Sequence, residues 1–207
     1  MPTQIIEHAL LKHKITLIRN KDLDTKSFRE IVNEISMLMA YDITRNLPLT
    51  QVEVETPLVK TTGEVLKEDI LIVPVLRAGL GMVEGMHNLI PTAKIAHVGM
   101  YRDPETLEPK VYYEKYPKES GSMKAFILDP LLATGGSVLA AIDALKRQGV
   151  NDISVVSIIG VNEGLDKIHA KYPDINIYLA SLDEKLNEKA YIEPGLGDAG
   201  DRLFGTK

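Results

Sequence analysis

The sequence predicts an α/β fold in which a mostly parallel central sheet is covered by helices. Three observations carry this. Short apolar runs at 70–76, 94–101, 125–128, 153–159 and 175–180 read as strands buried on both faces. Amphipathic helical stretches separate most of them, the alternation of βα units. Three of the runs end directly in Arg77, Arg102 and Asp129, at the carboxyl edge where open parallel sheets hold their ligands.

In chain order, residues 1–20 carry short apolar patches among Lys12, His13, Lys14 and Arg19, and are expected to wrap the body or pack on a partner subunit. Asp24 or Thr25 caps a helix. Phe28, Ile31, Val32, Ile35, Leu38, Met39 and Ile43 follow at helical spacing to about Arg45, and Pro48 prevents continuation. Val52, Val54, Leu58 and Val65 flank a Thr62-Gly63 turn and predict a peripheral hairpin. The strand at 70–76 leads into Arg77-Ala78-Gly79-Leu80-Gly81 and a helix from Met82 to Leu89.

The strand at 94–101 ends in Arg102-Asp103-Pro104. Residues 103–122 are polar and turn-rich, with Val111-Tyr112-Tyr113 in their middle, as suits a mobile lid or an extended arm. After the strand at 125–128, Pro130 is expected to stop further pairing. A small-residue loop then opens a helix over 138–145, followed by a strand at 153–159, a helix at 163–171 and a strand at 175–180. With no internal repeat and no composition break, 1–207 reads as a single domain. The tail at 182–207 holds four glycines between 195 and 205, spaced by Leu, Asp and Ala, which predicts an ordered loop whose backbone approaches a ligand.

Composition narrows the function. The net charge of −5 argues against a nucleic-acid-coating surface. The absence of cysteine excludes disulfides and thiolate metal sites and fits a reducing cytoplasm. No apolar run approaches the roughly 20 residues of a membrane span, and the N-terminus lacks a signal-peptide pattern. The five histidines lack metal-ligand spacing, and no nucleophile elbow or Ser-His-Asp ordering is present.

The informative motif is Asp129-Pro130-Leu131-Leu132-Ala133-Thr134-Gly135-Gly136-Ser137. A strand-tip acid can hold sugar hydroxyls, and a small-residue loop at a helix N-terminus favours a phosphate. Together they read as a receptor for a phosphorylated sugar. The nucleotide P-loop pattern is absent. Gly79, Gly81 and Gly85 fall one residue off the dinucleotide fingerprint, but no acid ends the next strand at the usual distance of about 20 residues. Arg77 there reads better as the cation of a second anion site, and Arg102 adds another.

These stretches resemble the uracil phosphoribosyltransferase family. Residues 129–137 resemble its phosphoribosyl-pyrophosphate motif, Val73-Pro74-Val75-Leu76-Arg77-Ala78-Gly79 its pyrophosphate loop, and the tail from Tyr191 to Arg202 its uracil-binding segment. The resemblance implies a type I phosphoribosyltransferase fold with a C-terminal uracil-binding hood. It also implies conversion of uracil and phosphoribosyl pyrophosphate (PRPP) to UMP and diphosphate in pyrimidine salvage. Carried over by position, Arg77, Arg102 and Asp198 are the catalytic candidates. Arg77 and Arg102 bind the pyrophosphate side, Asp129 the ribose hydroxyls, and residues 133–137 the 5′-phosphate. Pro130 stands where wider relatives have a second acid, and Leu131 and Leu132 complete the donor motif. Ile192, Gly197, Asp198 and Ala199 read uracil, and Asp198 also reaches the donor. Mg²⁺ bound mainly through the diphosphate, GTP as an activator, a homodimer or higher oligomer and a cytoplasmic location are implied in the same way, with no dedicated protein metal site.

Two other readings compete. One is an RNA-binding regulator on the same fold, which the acidic balance disfavours. The other is a dinucleotide-dependent oxidoreductase, which rests on the near-fingerprint at Gly79 alone.

Overall fold

The computed structural model describes residues 3–102 and 109–206. The first element is an edge strand, β1 (Thr3–Ile5), followed by α1 (Ala9–Arg19), which buries Leu11, Ile15 and Ile18. The N-terminal segment is thus built into the body's own sheet, where the sequence had shown only apolar patches. Helix α2 (Thr25–Ile43) is capped by Asp24, whose carboxylate accepts from the Ser27 N–H at 2.9 Å and from the Ser27 hydroxyl at 2.8 Å. Its apolar stripe, Phe28 through Ile43, is buried as the spacing predicts.

Strands β2 (Leu49–Glu55) and β3 (Lys60–Leu66) form the peripheral antiparallel hairpin. Its turn is at 56–59 rather than at Thr62-Gly63. The Thr56 hydroxyl accepts from Leu58 N–H and Val59 N–H, which closes the turn, while Gly63 lies within β3 opposite Val52.

Next come β4 (Ile70–Pro74), α3 (Leu80–Leu89), β5 (Lys94–Ile95) and β6 (His97–Arg102). The strand expected at 94–101 is therefore divided at Ala96. β6 leaves the sheet to pair antiparallel with β7 (Pro109–Lys115), so part of the anticipated arm is a two-stranded ribbon. Residues 103–108 and the side chain of Arg102 lie outside the described residues.

β8 (Lys124–Leu128) is followed by β9 (Leu131–Leu132), α4 (Gly136–Arg147), β10 (Ile153–Gly160), α5 (Asn162–Lys171) and β11 (Asn176–Leu182). Pro130 interrupts pairing without ending it. It lacks an N–H, yet its carbonyl accepts from Ile158 N–H and Ile159 N–H, and β9 pairs on with β10. The chain closes with β12 (Lys185–Leu186), β13 (Ile192–Glu193) and α6 (Ala199–Phe204).

The main sheet runs β1-β11-β10-β8-β4-β5 with every pairing parallel, as the sequence predicts. Alternation along its strands feeds two cores. Ile70, Ile72, Phe126 and Leu128 face the side covered by α1, α2 and α3, and Leu71, Val73, Ala125 and Ile127 face α4 and α5.

Candidate active site

Strand order locates the crevice. From β4 the chain moves to β5 on one side and later returns to β8 on the other, so the loops after β4 and β8 diverge at a topological switch point. The two strand tips are joined there by the Val75 N–H donating to Leu128 O at 2.9 Å. Gly79 makes the approach possible, because a Cβ on it would lie 2.3 Å from Leu128 O. The Leu76–Arg77 peptide within this loop is cis. Arg77 extends from it toward the C-terminal segment, with Nη2 3.6 Å from Asp201 Oδ1 and the guanidinium carbon 5.7 Å from the Phe204 ring centre.

The loop after β8 supplies the donor candidates. α4 begins at Gly136, two residues earlier than its apolar pattern indicates, so Gly136 and Ser137 belong to its first turn. Its N-cap, Gly135, has φ +72° and offers no side-chain cap, which leaves first-turn N–H groups for an anion. The loop is seated on α5: a Cβ on Gly135 would lie 2.8 Å from Gly164 O, and one on Gly164 would lie 2.4 Å from Ala133 O. Asp129, Leu131, Leu132, Ala133, Thr134, Gly135, Gly136 and Ser137 line one small concavity. Pro130 does not, since its carbonyl is directed into the sheet.

Asp129 keeps some solvent contact, yet desolvation by the surrounding protein pushes its carboxyl up to about 7. The Leu131 N–H, 3.4 Å away, opposes this only weakly. A carboxyl of this kind gains from hydroxyl donors or a cation.

The C-terminal segment forms a hood over these loops. β12 and β13 pair antiparallel around a turn in which Asn187 Oδ1 accepts from Lys189 N–H at 2.9 Å and Tyr191 N–H at 3.0 Å. The chain then passes a cis Glu193–Pro194 bond, Gly195 and Gly197, the latter at φ +82°. Asp198 caps α6 by accepting from the Asp201 N–H at 2.9 Å.

Between hood and donor loop lies a cavity of about 390 Å³. Ala78, Leu131 and Ala133 form its floor, and residues 189–192, Gly197, Asp198, Ala199 and Gly200 its walls. It brings the four uracil candidates together with two of the donor motif, and it adjoins the concavity that holds Asp129 and 134–137 through the shared Leu131 and Ala133. Lys189 and Ala190, which lie outside every motif the sequence singles out, also line it. So placed, the residues can hold a planar base against the hood and a phosphorylated sugar against the loop. Among the described residues no three His, Cys, Asp or Glu side chains gather in a way that would hold a metal.

Known proteins agree with this geometry. The family model for uracil phosphoribosyltransferase matches residues 5–206. The uracil phosphoribosyltransferase of Streptococcus mutans is 56% identical over 205 residues, 99% of this chain and 98% of its own length. That of Levilactobacillus brevis is 55% identical over the same shares. The solved AQ2163 protein from Aquifex aeolicus superposes with a TM-score of 0.92 at 36% identity, over 99% of each chain. The adenine phosphoribosyl transferase of Trypanosoma brucei shares the fold at 13% identity, with a TM-score of 0.62 over 96% of this chain and 89% of its own. With a matching model over nearly its whole length and relatives more than half identical, the chain belongs to the uracil phosphoribosyltransferase family.

Proposed function

We infer that the protein transfers the 5-phosphoribosyl group of PRPP to N1 of uracil, releasing diphosphate and forming UMP for pyrimidine salvage. The observation that carries this is the single cavity whose floor belongs to the donor loop and whose walls belong to the hood. In the adjoining concavity, the helix-start amides of Gly136 and Ser137 and the loop from Ala133 take the 5′-phosphate, and Asp129 accepts from the ribose hydroxyls. Arg77 takes the diphosphate side and stabilises the negative charge that grows as the C1′–O bond breaks, and the family resemblance assigns Arg102 the same role. The ring of uracil lies against Ile192 and Ala199, and the backbone of 197–199 meets its polar edge. Asp198, with its carboxylate at the start of α6, reaches toward the donor.

No residue stands out as a general base: the N1 proton passes to solvent or to the departing diphosphate, helped by hydrogen bonds that favour the N1 anion. Alignment of N1 with C1′ supplies proximity, worth up to about 7–11 kcal/mol in well-oriented cases. Backbone donors and acceptors at fixed positions reject cytosine, whose exocyclic amine meets a donor where an acceptor is needed.

Magnesium would fit the chain as a metal that arrives with its substrate: Asp129 would offer one carboxylate beside the ribose, diphosphate oxygens would supply most ligands, and the bound ion would supply charge screening for the departing group. A homo-oligomer belongs to the same reading, supported by the exposed apolar tip of the β2–β3 hairpin, where Leu58 is 91% and Val59 65% exposed. So do activation by GTP and, supported by the cysteine-free composition, a cytoplasmic setting.

Incubation with uracil, PRPP and Mg²⁺ tests the reading. UMP and diphosphate are expected in equal amounts. Absence of UMP, with no turnover of a close uracil analogue, overturns it. Repeating the assay with GTP, and measuring solution mass, tests activation and assembly.

A further inference from the structure

The acceptor wall of the cavity is a loop, and what holds that loop lies behind it. Residues 194–197 join β13 to α6 and belong to neither. Gly195 and Gly197 both have positive φ, so the segment lacks a regular ladder for its polar groups. Two arginines take that role.

Arg19, the last residue of α1, donates from Nη1 to Gly195 O at 2.7 Å. It is itself clamped on Asp183, with Nη1 to Oδ2 at 2.7 Å and Nη2 to Oδ1 at 2.6 Å. Asp183 Oδ2 in turn accepts the Gly195 N–H at 2.9 Å. Ser181 completes the cluster, donating to Asp183 Oδ1 at 3.0 Å and accepting from Arg19 Nη2 at 3.2 Å. The next carbonyl goes to the second arginine. Arg202 Nη1 donates to Leu196 O at 2.8 Å and to Ile18 O at 2.6 Å, and Nη2 to Asn20 O at 2.6 Å. Its guanidinium carbon stacks 4.2 Å from the Phe28 ring centre.

Two successive carbonyls, Gly195 and Leu196, are thereby drawn toward the end of α1, and the cavity is lined instead by Gly197, Asp198 and Ala199. The bond pattern is bidentate, and the Asp183 side chain is only 3% exposed, the setting in which an arginine fork fixes geometry most firmly. None of the three charged residues lines the cavity. The donor loop is seated on α5, at the far side of the site, with no share in this cluster.

We propose that Arg19, Asp183 and Arg202 are positioning residues for the acceptor: they anchor the 195–196 carbonyls to α1 and so set where 197–199 meet the pyrimidine edge. The proposal rests on the function inferred above. It separates the two substrates, because loosening the anchor displaces the hood loop and leaves the donor loop in place.

Steady-state UMP formation by the wild-type protein and by Arg19→Lys, Arg202→Lys and Ser181→Ala tests it. Lysine keeps the charge and loses the fork. Arg19→Lys and Arg202→Lys are expected to raise KM for uracil tenfold or more, with a smaller rise in KM for PRPP, up to about threefold, passed on through Asp198. Ser181→Ala leaves the Arg19–Asp183 fork and both charges in place and so perturbs folding least, and a rise of about threefold in uracil KM is expected. A lowered Tm with uracil KM within twofold of wild type overturns the proposal, as does an equal rise in both KM values. An inactive wild type instead overturns the function itself, so the two failures are distinguishable.

Discussion

A methyl group on Gly79 perturbs the contact that organises the site. An ideal Cβ there lies 2.3 Å from Leu128 O, 2.6 Å from Val75 N and 2.7 Å from Val75 O. All three are backbone atoms, so no side-chain rotation relieves the clash. Carbon and oxygen sit comfortably at about 3.3 Å or more, so the loop after β4 must retreat roughly 1 Å from the tip of β8. Overpacking of this kind costs about 1–3 kcal/mol. For a chain of this length that lowers Tm by about 2–12 °C. The same retreat shifts Arg77 relative to Asp129, and a misplacement of about 1 Å costs about 100-fold in rate. Gly81→Ala is the internal control, since its Cβ first meets side-chain atoms, the Leu203 methyls at 2.7 Å, and no backbone atom comes as near. Thermal unfolding and steady-state UMP formation should therefore find Gly79→Ala folded, less stable, and reduced about 100-fold in kcat/KM for PRPP, with Gly81→Ala much closer to wild type. A Gly79→Ala protein with unchanged Tm and kcat/KM within threefold of wild type refutes the reasoning.

Asp129 gives a pH prediction. Its carboxyl is raised from 3.8 to about 7, so the native protein holds a proton there that the unfolded chain releases, and this contribution to stability declines as pH rises from about 4 to 7. If the donor binds the carboxylate, binding below pH 7 expels the proton. KM for PRPP should then fall as pH rises toward 7 and level off above it, while Asp129→Asn binds the donor more weakly and loses that inflection. Asp183 has the opposite sign. Burial raises its carboxyl, but Arg19, the Gly195 N–H and Ser181 outweigh this and hold it below its ordinary value. The stability it contributes is present above the ordinary carboxylate range and lost as pH falls from there through its lowered native value, so Asp183→Asn should show less acid destabilisation in thermal melts taken from pH 6 downward. Arg77→Ala should lower kcat by about 100-fold or more, the loss typical of removing one donor to developing charge, while KM for uracil stays within about threefold; an unchanged kcat counts against its role at the leaving group.

The sheet was legible because its strands are buried on both faces, which leaves continuous apolar runs such as 125–128 and 153–159 that few other arrangements produce. The site was legible where chemistry is local: a strand-tip acid, a small-residue loop and a helix start are neighbours in sequence. β1 escaped because three residues on a sheet edge, two of them exposed, carry no periodicity. The hairpin turn was misplaced because Gly63 draws attention, whereas the turn is made by the Thr56 hydroxyl capping Leu58 and Val59. The short α6 escaped behind its glycines, although Asp198 with an acid at Asp201 is a legible helix start. Arg19 and Asp183 escaped for a different reason. They lie 164 positions apart, and nothing in either one's neighbours announces the other.

The central claim is that donor loop and hood share one cavity with a fixed orientation, and a crystal structure of the protein with UMP tests it most directly. The phosphate is expected on the amides of Gly135, Gly136 and Ser137, the ribose hydroxyls at Asp129, and the uracil ring against Ile192 with its polar edge on the backbone of 197–199. UMP bound in the reverse sense, or at any other place on the molecule, would contradict it.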